Sequence, residues 1–181
     1  DTNTMVKTSA PIFLLAVALA ALCCAGLITR AQAGFMGRQF IGPSTHDWAF
    51  DYKTGMLHMV DYSVLFHMDT NTDALTNASL PISPRAVCLG DDSDTLFFLT
   101  HYSYANSSSE VYRMNLKTET LSRVMILGTF NQSGDLAYHN NMLYFTDEGS
   151  RSILKVPATG GTLTPVVSNV DPRAIDIDSE G

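Results

Sequence analysis

Short runs of apolar and aromatic residues, each of strand length, return along the chain with turn-forming residues between them. Leu57-His58-Met59-Val60-Asp61, Leu96-Phe97-Phe98-Leu99-Thr100 and Leu143-Tyr144-Phe145-Thr146-Asp147 begin 39 and 47 positions apart. Each is preceded by another run: Asp47-Trp48-Ala49-Phe50, Ala86-Val87-Cys88-Leu89 and Asp135-Leu136-Ala137-Tyr138, with Ala174-Ile175-Asp176-Ile177 a fourth copy. A third run follows in each unit, Val64–Met68, Val111–Met114 and Ile153–Val156, and alternates apolar with polar residues as a strand with two differently solvated faces does. Ala74–Leu80, Leu121–Ile126 and Leu163–Val167 supply a weaker fourth strand.

The turns agree with this register. Asp51–Gly55, Gly90–Asp94, His139–Asn141 and Asp178–Gly181 stand between first and second strands, and all are rich in residues that tolerate turn or left-handed dihedrals. Pro84-Arg85-Ala86-Val87 and Pro172-Arg173-Ala174-Ile175 nearly repeat at a distance of 88, or two units. No stretch after residue 34 carries sustained helical periodicity. Four short strands every 40 to 50 residues predict an all-β chain, a partial β-propeller of about three four-stranded antiparallel blades. The blades are expected at 45–83, 84–132 and 133–171, with the start of another at 172–181. Phe35–Ile41 is a candidate outer strand. Because propellers close with four to eight blades, the sequence reads as the N-terminal fragment of a longer protein.

The N-terminus changes the expected compartment. Residues 1–4 precede Met5 and read as leader. Residues 5–33 carry Lys7, the apolar run Ile12–Leu27 and the small-x-small site Ala31-Gln32-Ala33, which predict a signal peptide cleaved between Ala33 and Gly34. An uncleaved signal anchor is the alternative, since the run is near the lower length limit for a membrane span. The expected product, 34–181, is extracellular or lumenal. A membrane association would then come only through that anchor or a region beyond residue 181.

Composition adds limits. Cleavage removes Cys23 and Cys24 and leaves Cys88, so the domain holds no internal disulfide and depends on its core. Cys88 lies in an apolar strand and reads as a small buried hydrophobe. The net charge is −7, and loss of Asp1, Lys7 and Arg30 makes the product one unit more acidic. Nucleic acid is an unsuitable partner for such a surface. An extracellular protein or a small ligand is the expected partner.

Candidate chemistry is sparse. Asp91, Asp92, Asp94, Asp176 and Asp178 offer hard oxygen ligands for calcium, but without EF-hand spacing, and Asp-rich hairpin turns recur for backbone reasons. No cofactor is expected, with calcium an option for the full-length protein. The five histidines, His46, His58, His67, His101 and His139, fall at scattered repeat positions and form no zinc motif. His101 and Ser103 lack the surroundings of a nucleophile and base. Gly160-Gly161 reads as a turn. Three sequons mark candidate glycosylation sites at Asn77, Asn106 and Asn131.

Leu143–Asp147 resembles the Tyr-Trp-Thr-Asp signature of the class B repeats of the low-density lipoprotein receptor family, with Phe145 at the Trp position. Gly149–Val156, Gly160-Gly161 and Pro172–Asp178 are similar to the remainder of that repeat, and NHL-type repeats are similar at the same positions. The first unit keeps only the acid, Asp61, and the second keeps no acid. The resemblance implies a secreted six-bladed propeller that binds another macromolecule through loops at one end of the ring. Tyr144, Phe145, Thr146, Asp147, Pro172, Arg173 and Asp176 then form the structural signature: alternation sets Tyr144 and Thr146 on one face and Phe145 on the other, and Asp147 accepts turn amides. The rival is a calcium-dependent hydrolase resembling the gluconolactonase, paraoxonase or strictosidine synthase group, for which Asp47, Asp135 and Asp176 are the candidates. A cell-surface spacer is the third option.

Overall fold

Twelve strands, joined in sequence order into three antiparallel four-stranded sheets, make up the fold. The computed structural model describes residues 47–100, 108–128 and 133–177. The first sheet is β1 (Asp47–Asp51), β2 (Met56–Asp61), β3 (Val64–Asp69) and β4 (Ala74–Ser79). The second is β5 (Pro84–Leu89), β6 (Thr95–Thr100), β7 (Ser109–Asn115) and β8 (Thr120–Gly128). The third is β9 (Ser133–His139), β10 (Met142–Asp147), β11 (Ser152–Pro157) and β12 (Thr164–Ser168). No helix occurs among the described residues. The chain is all-β and has the architecture of a partial β-propeller.

One turn design recurs. β1–β2, β3–β4, β7–β8 and β10–β11 are each joined by four residues, and the last of the four has positive φ: Gly55, Asp73, Glu119 and Arg151. The strand-end residue before each turn caps it. Asp51 accepts the Lys53 amide at 2.9 Å, Asp69 the Asn71 amide at 2.8 Å, Asn115 the Lys117 amide at 3.0 Å and Asp147 the Gly149 amide at 3.0 Å. A short acidic or amide side chain at this position mimics a backbone turn, which is why the acid recurs there. Asn140 and Asn141, both with positive φ, form the two-residue β9–β10 hairpin that favours such residues.

The core lies between sheets. β6 is buried along its whole length, and its alternation divides the two seams. Leu96 and Phe98 pack with Ala49, Val60 and Leu65 of the first sheet. Phe97 and Leu99 pack with Leu136, Leu143, Phe145 and Val156 of the third. Phe98 and Phe145 are fully buried, and each contributes roughly 1.5–3 kcal/mol by leaving water. Of the outer strands, β12 is exposed along its length and β4 nearly so, whereas β8 sends Leu127 into the core between the second and third sheets.

One expected strand is absent. Ala174–Ile177 form no regular strand, although the Ile175 amide donates to Asp135.

Candidate functional site at the inner edge of the sheets

The first strand of each unit forms the inner edge, and there the repeat brings charged residues together. Asp47 at the head of β1 and Asp135 in β9 line a cleft of about 300 Å³ together with Arg85, Gly134 and Arg173. A groove of about 370 Å³ adjoins it, and Trp48, Tyr138 and Asp176 are among the residues that line it with Asp47 and Asp135.

The two carboxylates do the same local work. Asp47 Oδ2 accepts the Val87 amide at 2.7 Å, and Asp135 Oδ2 accepts the Ile175 amide at 2.8 Å, each donor lying 40 residues on in the next unit. Asp135 Oδ1 also accepts the Leu136 amide at 2.8 Å. Burial raises the Asp47 pKa from 3.8 to about 6, against the pull of the Val87 and Trp48 amides, and the Asp135 charge raises it further. Cys88 is buried, and burial first, then the negative Asp47 and Asp135, holds its thiol well above the ordinary range. It is therefore an inert thiol at neutral pH.

Gly134 is required by close approach. A Cβ there would stand 2.6 Å from Thr146 Oγ1 and 3.1 Å from the Arg173 carbonyl oxygen. Thr146 is fully buried, and its hydroxyl oxygen accepts the Asp135 amide at 2.9 Å, so it fixes the strand that carries the carboxylate.

The other residues singled out in the sequence have definite places. Phe145 packs into the seam between second and third sheets, Asp147 is buried over its turn, and Tyr144 is half-buried. Pro172 is buried, as is its repeat mate Pro84, whereas Arg173 and Asp176 are exposed. Asp176 is not the equivalent of Asp47 and Asp135. The cross-sheet bonds make Ile175 the mate of Val87, so Ala174, like Ala86, stands at that position, and Asp176 instead accepts the adjacent Ile177 amide at 2.9 Å. Asn77 is exposed on β4. Asn106, Asn131, His46, His101, Ser103, Asp178, Ala33, Gly34 and the whole 1–33 segment lie outside the described residues.

The acidic β5–β6 turn is bound up internally. Asp92 accepts the Asp94 amide at 3.1 Å and the Thr95 hydroxyl at 3.0 Å, Asp94 pairs with Lys117 at 2.5 Å, and Asp91 accepts the Tyr138 hydroxyl at 3.2 Å. These contacts describe a turn cap and a seam contact.

The histidines are not all scattered. His58 and His67 are partners in the β2–β3 register, with Nδ1 atoms 2.7 Å apart and rings edge-on at 4.9 Å. One nitrogen must carry a proton and the other must not, so the pair holds together when neutral. Burial lowers the His58 pKa from 6.5 to about 4, with the neighbouring His67 adding to this and Asp51 opposing it. Hairpin arithmetic would have revealed the pair, because Asp61 and Val64 flank a two-residue turn and the register then sets His58 opposite His67.

No family model matches the chain, and no curated protein does. Solved structures do. A chain of a nidogen/laminin complex superposes with a TM-score of 0.60 at 9% identity, covering 73% of this chain and 51% of that one. Hydrazine synthase of Kuenenia stuttgartiensis gives 0.57 at 12% identity, with 80% and 42% covered. TolB from Acinetobacter baumannii gives 0.56 at 16% identity, with 69% and 32% covered. The fold they share with this chain is the β-propeller. The chain spans between about a third and a half of the length of these structures.

Proposed function

We propose that this protein is an extracellular or lumenal β-propeller binding module that takes its ligand, a protein segment or a small molecule, at the inner-edge cleft. The carrying observation is convergence: residues from β1, β5, β9 and the 172–177 segment meet at one cleft, each from one of two adjacent positions in its repeat. Rigid strands that present side chains from successive repeats to one point make a binding surface without any catalytic group. The likeness to nidogen, TolB and hydrazine synthase supports the fold beneath this reading. The extracellular setting rests on the N-terminal signal pattern.

The hydrolase reading is weaker here, because Asp47 and Asp135 already accept backbone amides across the sheets. Such carboxylates fix strand positions.

A photo-crosslinking amino acid tests the proposal. Placed at exposed Trp48, beside the cleft, it is expected to give discrete adducts with material from the extracellular medium of the source cells. Placed at exposed Leu75 on the outer strand β4, it is expected to give none. Equal labelling from both positions sinks the proposal, and so does calcium-dependent ester or lactone turnover that Asp47→Asn and Asp135→Asn abolish.

A further inference from the structure

Four charged side chains line the cleft, but their hydrogen-bonding capacity is unequal. Asp47 and Asp135 are engaged by amides at 2.7 and 2.8 Å. The arginines are not engaged in the same way. Arg85 is half-buried and forms no ion pair among the described residues, and Arg173 reaches only Asp171 among them, at 3.7 Å with both side chains exposed. An exposed pair at that distance contributes little. Neither guanidinium is within ion-pair distance of Asp47 or Asp135, although all four line one cleft.

The arginines are repeat mates. Arg85 and Arg173 follow buried prolines in Pro84-Arg85-Ala86 and Pro172-Arg173-Ala174, and they flank the Gly134-Asp135 strand between them. Each presents five N–H donors in a planar fork that matches a carboxylate in two parallel bonds. The two nearby carboxylates set the ligand's charge limit. Beside Asp47 and Asp135, a doubly charged phosphate concentrated at one point is repelled, whereas two singly charged groups, one to each guanidinium, are matched. The volume of about 300 Å³ is at the small end of ligand sites.

We infer that the inner-edge cleft binds a ligand bearing two carboxylates a few carbons apart, one held by Arg85 and the other by Arg173. A free aliphatic dicarboxylate and a peptide ending in glutamate share this chemistry. The inference rests on the cleft being the binding site, as proposed above.

Calorimetric titration of the full chain tests it, with malonate, succinate, glutarate and inorganic phosphate, and with a short peptide ending in glutamate as free acid and as amide. Saturable heat is expected from succinate or glutarate and none from phosphate. Binding of the free-acid peptide above the dicarboxylates identifies a peptide as the source, and the reverse order identifies a small molecule. Arg85→Gln and Arg173→Gln are each expected to weaken binding at least about tenfold, the loss of a charge-assisted pair. Arg85→Lys and Arg173→Lys, which keep the charge and lose the fork, are expected to weaken it as well, with unchanged melting temperatures showing that the fold is kept. Arg123→Gln, whose side chain pairs with Glu110 at 3.1 Å, is expected to bind as the parent does. Absence of binding by every carboxylate at about 10 mM, a Kd weaker than any specific site would show, overturns the inference. So does binding that survives both arginine changes, or phosphate binding as tight as succinate. If crosslinks from position 48 persist while carboxylates fail, the ligand class is wrong and the binding module stands; if both fail, both readings fall.

Discussion

The seam between the first and second sheets and the seam between the second and third solve one problem differently. In the first, Asp47 reaches across to the Val87 amide beside an apolar cluster centred on Phe98 and Leu65. In the second, Ala86 stands at the Asp47 position, and the Leu136 amide, equivalent to that of Val87, is satisfied by Asp135 from its own strand. Phe97, Leu99, Leu136, Leu143 and Phe145 fill that seam, with Tyr138 stacked on Phe97 at 5.4 Å. A seam therefore closes without a carboxylate that accepts a strand amide across it. The acids at the inner edge position strands at the cleft, and apolar packing joins the sheets.

The largest expected effect follows. Phe145→Ala and Phe98→Ala remove fully buried rings from the two seams, and each is expected to cost about 3–5 kcal/mol in urea unfolding. If packing joins both seams, the two losses are similar. A loss below about 1.5 kcal/mol at Phe98 alone would mean that Asp47 holds the first seam instead.

Acidification separates the carboxylate from the packing. The folded chain keeps a proton on Asp47 up to about pH 6 where the unfolded chain loses it near 3.8, so this group's stability contribution is present below pH 3.8 and lost as pH rises through 6. His58 works in the opposite direction. Its pKa falls from 6.5 to about 4, so its contribution is present above 6.5 and lost as pH falls through 4. Each effect is worth up to about 3 kcal/mol, less solvent screening at the half-exposed Asp47. The two oppose one another between pH 4 and 6, and the parent is expected to show a shallow dependence there. Asp47→Asn, which keeps an acceptor for Val87, is expected to leave the steep acid loss due to His58. His58→Asn is expected to lose less stability than Asp47→Asn on going from pH 6 to 4, keeping only the acid loss of His67, which burial also holds below its ordinary pKa. Parallel pH profiles for all three proteins would refute the assignment.

Much of this was legible in the sequence. The runs Leu57–Asp61, Leu96–Thr100 and Leu143–Asp147 lie in strands because their apolar periodicity and bounding turn residues agree, and Asn140-Asn141 marks its own hairpin. Asp147 is readable as a cap because an Asp before a turn has a local task. The cleft was not readable in the same way. Its carboxylates, arginines and glycine come from different repeats and are brought together by the rotation between sheets, which leaves no spacing in the chain. The exceptions are Asp47 and Asp135, grouped as candidates by their repeat position, and the Pro-Arg-Ala repeat, whose distance of two units was visible; the meeting of the arginines with the carboxylates was not. Asp176 misled because it is a conspicuous acid in an inner-edge run, two residues past the equivalent position.

A middle-sized effect tests the cleft side of the comparison. Gly134 occupies the repeat position at which the second sheet carries Arg85, and the third sheet cannot carry a side chain there because Thr146 Oγ1 and the Arg173 carbonyl crowd it. Gly134→Ala is expected to cost about 1–3 kcal/mol and to loosen the Asp135 amide, seen as faster hydrogen exchange at Asp135 with little change at Val87. The same substitution is expected to weaken dicarboxylate binding through the displaced Arg173 backbone. Unchanged stability and exchange would show that β9 and the 172–177 segment have room to separate.

The smallest effect asks whether the second seam has a polar contact that matters. Tyr138 stacks on Phe97 and directs its hydroxyl at Asp91 Oδ2, 3.2 Å away, and at Asn141 Oδ1, 3.0 Å away. One proton serves two acceptors, both at an exposed turn, so neither bond is strong and water replaces either. Tyr138→Phe keeps the stack and is expected to cost no more than about 1 kcal/mol. Tyr138→Ala removes the ring and is expected to cost clearly more, because the Phe97 face is then opened to water. A Phe variant as unstable as the Ala variant would place the energy of this seam in the Asp91 contact, and the second seam would then depend on a carboxylate just as the first uses Asp47.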